Sequence, residues 1–182
     1  MRCVLEPSFS VAKARAWRSA IDDDPPYQRP GDRWDVARRQ RFIDSLLNGY
    51  DVPKIYLHDL RGREPTKVYA VVDGKQRLHA LWAFLDGSFP LAADFELRGD
   101  PHPAAAGSAP PRAGMRFGDL DPAWRRALLA TRLSVVLIQD AGVDEIDELF
   151  LRLNEGVPLT PDELRAARGR RVVATMRGRR AG

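Results

Sequence analysis

"KVYAVVDGKQRLHALWAFLDG", residues 67–87, changes character at its middle. Lys67 to Asp73 has strand composition, with valines and a tyrosine. Asp73-Gly74 breaks it. Leu78, Leu81, Trp82 and Leu85 then recur at i, i+3, i+4 and i+7, the spacing of one helix face. Lys75, Gln76 and Arg77 crowd the start of that helix behind one carboxylate. A helix N-terminus carries exposed N–H groups and partial positive charge, so it holds anions. Gly74 permits close backbone approach. Lys75 adds charge, Arg77 can grip a phosphate bidentately, and Asp73 can position a divalent cation or a water. The ordinary alternative is that Asp73 caps the helix and the cations are solvated, because Asp-Gly before a helix is common turn chemistry. Spacing alone leaves both readings open.

The flanking sequence extends the pattern. "KIYLHDL" (54–60) is a second strand, "RGREPT" (61–66) a loop, and the two strands form a hairpin. Upstream, Asp35 can cap a helix with Val36, Ile43, Leu46 and Leu47 inward, stopped by Asn48-Gly49. Residues 1–24 are a weakly patterned extension with one short helix, and the prolines of 25–34 favour extended or turning backbone. Downstream, 89–99 reads as a strand region and 99–114, rich in Pro, Ala and Gly, as a flexible excursion. Asp121 with Pro122 opens a helix, 133–140 is a buried strand, and 143–154 is a helix with Val143, Ile146, Leu149, Phe150 and Leu153 inward. Thr160, Pro161 and Glu163 make a capping box. The order of elements is α+β.

Composition bounds the function. Hydrophobic residues make up 44%, enough for a core in one domain, and charged residues 30%. The formal net charge of +4 resides in the end of the chain. Residues 163–182 hold seven arginines against Glu163, and the remainder carries 22 basic and 24 acidic residues. An Arg-rich tail, 169–182, either grips phosphate backbones or is a disordered, solvated end; no aromatic residue interleaves its arginines. The single cysteine, Cys3, excludes an internal disulfide. No stretch approaches the ~18 apolar residues of a membrane span, and the N-terminus lacks an apolar signal core, so a cytoplasmic location without membrane partners is expected. His58, His79 and His102 have no ligand spacing, and Walker and G-x-S-x-G motifs are absent.

Three blocks in order resemble the N-terminal domain of GmrSD-type modification-dependent restriction systems. Tyr27-Gln28-Arg29-Pro30 with Trp34 leads into "RQRFIDSLLNGYDVPKIYL"; "VVDGKQRLHAL" is similar to the family's D-G-Q-Q-R-L-T-T-L; "LFLRLNEGVPLTPDELRAA" is similar to its F-x-R-L-N…G-x-x-L-T-x-x-E-L-R. The resemblance covers about residues 25–168. It implies a ParB/sulfiredoxin-like fold, a small mixed sheet with flanking helices. It also implies a module that binds and hydrolyses a nucleoside triphosphate, with Mg2+ as a candidate ion, and regulates a nuclease in defence against modified or foreign DNA.

Carried across by position, Asp73 is essential for hydrolysis and is the metal-side carboxylate. Gly74, Gln76 and Arg77 form the phosphate-side wall, and Gln28 and Arg29 converge on the same pocket with Lys75. Asn154 either orients the site or is a plain helix C-terminal residue. Tyr27 is a candidate for stacking a base; core packing is the expected role of Trp34. Two departures stand out: Lys75 replaces the family's usual Gln, and His79 its usual Thr, with a surface position expected for His79. Family members usually continue into a helical region and an HNH-type nuclease. Here "ARGRRVVATMRGRRAG" follows with no nuclease motif, so the nuclease is expected as a domain or subunit in trans. The alternatives are a ParB-like DNA-binding or scaffold module, which the acidic body disfavours, and an inactive, truncated remnant.

Overall fold

The computed structural model describes residues 1–27, 34–62, 66–98 and 103–154. Gln28, Arg29, His102, the capping box at Thr160 and the arginine tail lie outside the described residues.

Five strands form one mixed sheet: β1 (Arg2–Glu6), β2 (Ile21–Asp22), β3 (Ile55–Asp59), β4 (Tyr69–Asp73) and β5 (Val135–Gln139), in the order β1-β5-β3-β4-β2. β3 and β4 pair antiparallel, as the hairpin reading expects, while β3 runs parallel to β5, and β2 to β4. β1 closes the far edge antiparallel to β5. The helices are α1 (Val11–Ala16), α2 (Val36–Leu47), α3 (Lys75–Leu85), α4 (Pro122–Ala130) and α5 (Val143–Asn154).

Strand alternation divides the core between the two faces of the sheet. Ile55, Leu57, Tyr69, Val71, Val135 and Leu137 join the main core with residues of α1 to α4. Their neighbours Val72 and Ile138 point the other way and pack with Ile146, Leu149, Phe150 and Leu153 of α5. This α+β architecture, a small mixed sheet with helices on both faces, agrees with the fold that the resemblance implies.

Local chemistry accounts for the helix ends. Asp35 accepts a hydrogen bond from the Arg38 amide, and Gly49 follows α2 with φ 71°. Asp121 accepts from the Ala123 amide with Pro122 at the first helical position. Asp121→Ala is expected to cost about 1 kcal/mol, read as a Tm lower by about 2–4 °C.

Some expectations need correction. Val36 and Val143 are 52% and 74% exposed, not inward. Each opens its helix, where side chains lean back past the N-terminus and away from the packed face. Residues 89–98 form no strand. Phe89, Leu91 and Phe95 are buried, but the backbone turns at Ala92–Phe95, and Leu91 exchanges hydrogen bonds with Met115 and Gly114. Pro90 has no N–H to offer a ladder. In the Pro/Ala/Gly-rich stretch, Pro103–Ala105 makes a 3-10 turn whose Ala105 is buried beside α4. No described helix is long and apolar enough to cross a membrane.

Candidate functional site

The strand-to-helix junction at Asp73-Gly74 is built around a glycine. Gly74 is the N-cap of α3 and has φ 102°, where a side chain is strained. A Cβ there would also lie 3.0 Å from both Cγ atoms of Ile55. Gly74 therefore lets the helix start turn tightly against β3.

Asp73 does not cap α3. The capping position falls to Gly74, which offers no side chain, and Asp73 stands one residue too early. Its Oδ2 instead accepts a 2.7 Å charged hydrogen bond from Arg77 Nη2, four residues on. Arg77 Nη2 also donates to the Lys54 carbonyl at 3.0 Å, pinning the helix start to the residue before β3. Between Tyr56 and Leu57, the β3–β4 register shifts opposite Asp73. Such an irregularity re-aims a strand's last side chain.

The other side chains of this first turn fan out. Lys75 Nζ reaches Asp24 Oδ1 at 2.7 Å, and this lowers the Asp24 pKa through the hydrogen bond and the charge of Lys75. Gln76 Oε1 accepts from the Trp34 amide at 3.3 Å. Asp24 and Trp34, which flank residues 28–33, thus both bond to the start of α3. Asp73, Gly74, Lys75, Gln76 and Arg77 share one turn, but in three directions. Trp34 packs edge-on to Phe42, centroids 5.8 Å apart, in the core role expected of it.

Tyr27 lies on the α5 side of the sheet. Its ring packs on Phe150 at 6.3 Å, next to Val72, and its hydroxyl is buried without a hydrogen-bond partner among the described residues. Burial first, then the charges of Asp22 and Asp147, push the phenol pKa up. The ring is half-buried, with Phe150 against it. Asn154 ends α5; its side chain lies outside what is described.

Sequence reasoning missed the acidic partners of α3. Asp23 pairs with His79 Nε2 and Asp24 with Lys75, so the acidic run lies along one flank of the helix. His79 is half-buried beside Trp82 rather than on an open surface.

Chemically, the junction offers one carboxylate and one guanidinium with capacity to spare. Asp73 is about one-third exposed, and its Oδ1 has no hydrogen-bond partner among the described residues. Arg77 spends Nη2 on Asp73 and Lys54, while its Nε is buried without a partner there. An orphaned buried donor calls for an acceptor. No group of three or more His, Cys, Asp or Glu able to hold a metal occurs among the described residues. Mg2+ nonetheless binds through one or two carboxylates completed by phosphate oxygens, and Asp73 fits that donor set.

No curated protein and no solved structure matches the chain. One family model does, over residues 15–169: GmrSD restriction endonuclease, N-terminal domain. That span contains the whole strand-to-helix junction and all of the sheet except β1. The chain belongs to the family of GmrSD restriction endonuclease N-terminal domains.

Proposed function

We propose that this domain binds and hydrolyses a nucleoside triphosphate at the start of α3. In this reading it is the regulatory module of a restriction or anti-phage defence system acting on modified or foreign DNA, with its nuclease supplied by another domain or subunit. The observation that carries the reading is the Asp73–Arg77 ion pair at a helix start whose cap is a glycine. Donors of the first turn and the helix dipole favour an anion there.

Arg77 is held in place by Asp73 and the Lys54 carbonyl, so its guanidinium is oriented before a phosphate arrives. Pre-paid orientation of this kind adds to affinity. Among the described residues Lys75 is tied only to the exposed Asp24, and it can exchange that partner for a phosphate oxygen. Asp73 keeps one oxygen to orient a water and accept its proton. Mg2+, when bound beside Asp73, supplies charge neutralisation at the phosphates. Gln28, Arg29, Gln76 and Asn154 complete the proposed binding set.

The test is equilibrium binding of a non-hydrolysable nucleoside triphosphate analogue, with and without Mg2+. Arg77→Ala is expected to weaken binding by about 1.5–3 kcal/mol, the loss of a charged hydrogen bond. Thermal melting of the variant serves as the control for folding. Absence of saturable binding by the unaltered chain would reject the proposal.

A further inference from the structure

A cleft of about 700 Å³ runs along the flank of α3 that carries His79, Trp82, Ala83 and Asp86. None of Asp73, Gly74, Lys75, Gln76 or Arg77 lines it. Its other walls come from the end of α1 and the turn after it, from β2 and Asp23, and from Arg39 of α2.

The charge of this cleft is unlike that of the body around it. Outside residues 163–182 the chain has more acidic than basic residues. Yet Arg15, Arg18, Arg39 and Lys67 face two carboxylates, Asp23 and Asp86. Both carboxylates are engaged: Asp86 by Arg18 at 2.5 Å, and Asp23 by His79. Lys67 is fixed at the wall by the Ser19 and Ile21 carbonyls, so its charge cannot swing away freely. Arg15 has neither a hydrogen-bond nor an ion-pair partner among the described residues. With four cations against two paired carboxylates, the concave wall carries an excess of positive charge that favours an anion.

The shape narrows the ligand class. The volume lies in the range of small-molecule sites. The Trp82 ring is no platform for a base, being 4% exposed, covered by the Arg18 guanidinium at 5.3 Å and anchored through Nε1 to the Ala14 carbonyl. We propose that this cleft is a binding site for a compact phosphate-bearing small molecule. The proposal stands apart from the nucleotide reading at the start of α3.

Inorganic pyrophosphate is the probe, titrated into the full chain while the backbone amide resonances of His79 and Asp86 are followed. Saturable shifts at both amides are expected. Arg15→Glu, at an exposed position, is expected to leave the melting temperature unchanged and weaken this binding about ten-fold, as loss of one charged hydrogen bond implies. Arg77→Ala is expected to leave it within about two-fold, since separate sites act independently. No saturable shift, insensitivity to Arg15→Glu, or loss of the shifts in Arg77→Ala would overturn the proposal. So would displacement of pyrophosphate by a lower concentration of short single-stranded DNA, which would assign the cleft to a nucleic-acid backbone. Binding at His79 and Asp86 is read without hydrolysis, so this outcome is independent of whether the α3 junction holds a nucleotide.

Discussion

Asp73→Asn is expected to abolish turnover of a nucleoside triphosphate while leaving its binding nearly intact. Asparagine is almost isosteric, and its Oδ1 can still accept from Arg77, so the pair that orients the guanidinium survives in neutral form. Helix capping is unaffected because Gly74, not Asp73, occupies the capping position. What disappears is the negative charge that, in the proposed reaction, takes a proton from water and attracts a cation. A positioned acid or base contributes roughly 10²–10⁴-fold to rate, and that is the expected loss. Steady-state phosphate release, compared with equilibrium binding of a non-hydrolysable analogue, separates the two effects. Equal losses in both would move Asp73 from chemistry to binding, and unchanged turnover would remove it from the site.

Gly74→Ala is expected to be the most damaging single change to the fold at this junction. A non-glycine residue at φ 102° is strained, and its Cβ would press on Ile55 at 3.0 Å, inside the core. The left-handed backbone costs about 1–2 kcal/mol, and crowding a packed core about 1–3 kcal/mol more. Urea unfolding measures the sum as a lower midpoint at unchanged slope. Gly74→Asn divides it, because asparagine tolerates positive φ better but carries the same Cβ. A loss confined to Gly74→Ala would assign the cost to torsion, and equal losses would assign it to Ile55.

These two neighbours also show where the sequence is legible. The β4–α3 unit declares itself because Val71 and Val72 alternate between two buried faces and Leu78, Leu81, Trp82 and Leu85 repeat at helical spacing. Asp121 and Asp35 cap as their positions indicate. β1 is hidden for a physical reason: Arg2 to Leu5 are all exposed, so burial imprints no period on them. β2 is two residues long and exists only by pairing with β4. Asp73 misleads because Asp-Gly before a helix suggests a cap, whereas the glycine itself takes that place. The pairing of Asp23 with His79 and of Asp24 with Lys75 spans more than fifty residues, and local spacing carries no trace of it.

The central claim is that a nucleoside triphosphate sits on the first turn of α3, between Asp73 and Arg77. Backbone amide resonances recorded during titration of a non-hydrolysable triphosphate analogue in the presence of Mg2+ test it most directly. The largest saturable shifts are expected at Gly74, Lys75, Gln76 and Arg77, and Arg77→Ala is expected to move the saturation point to higher ligand concentration. Saturable binding that leaves those four amides unmoved would place the ligand elsewhere and contradict the account.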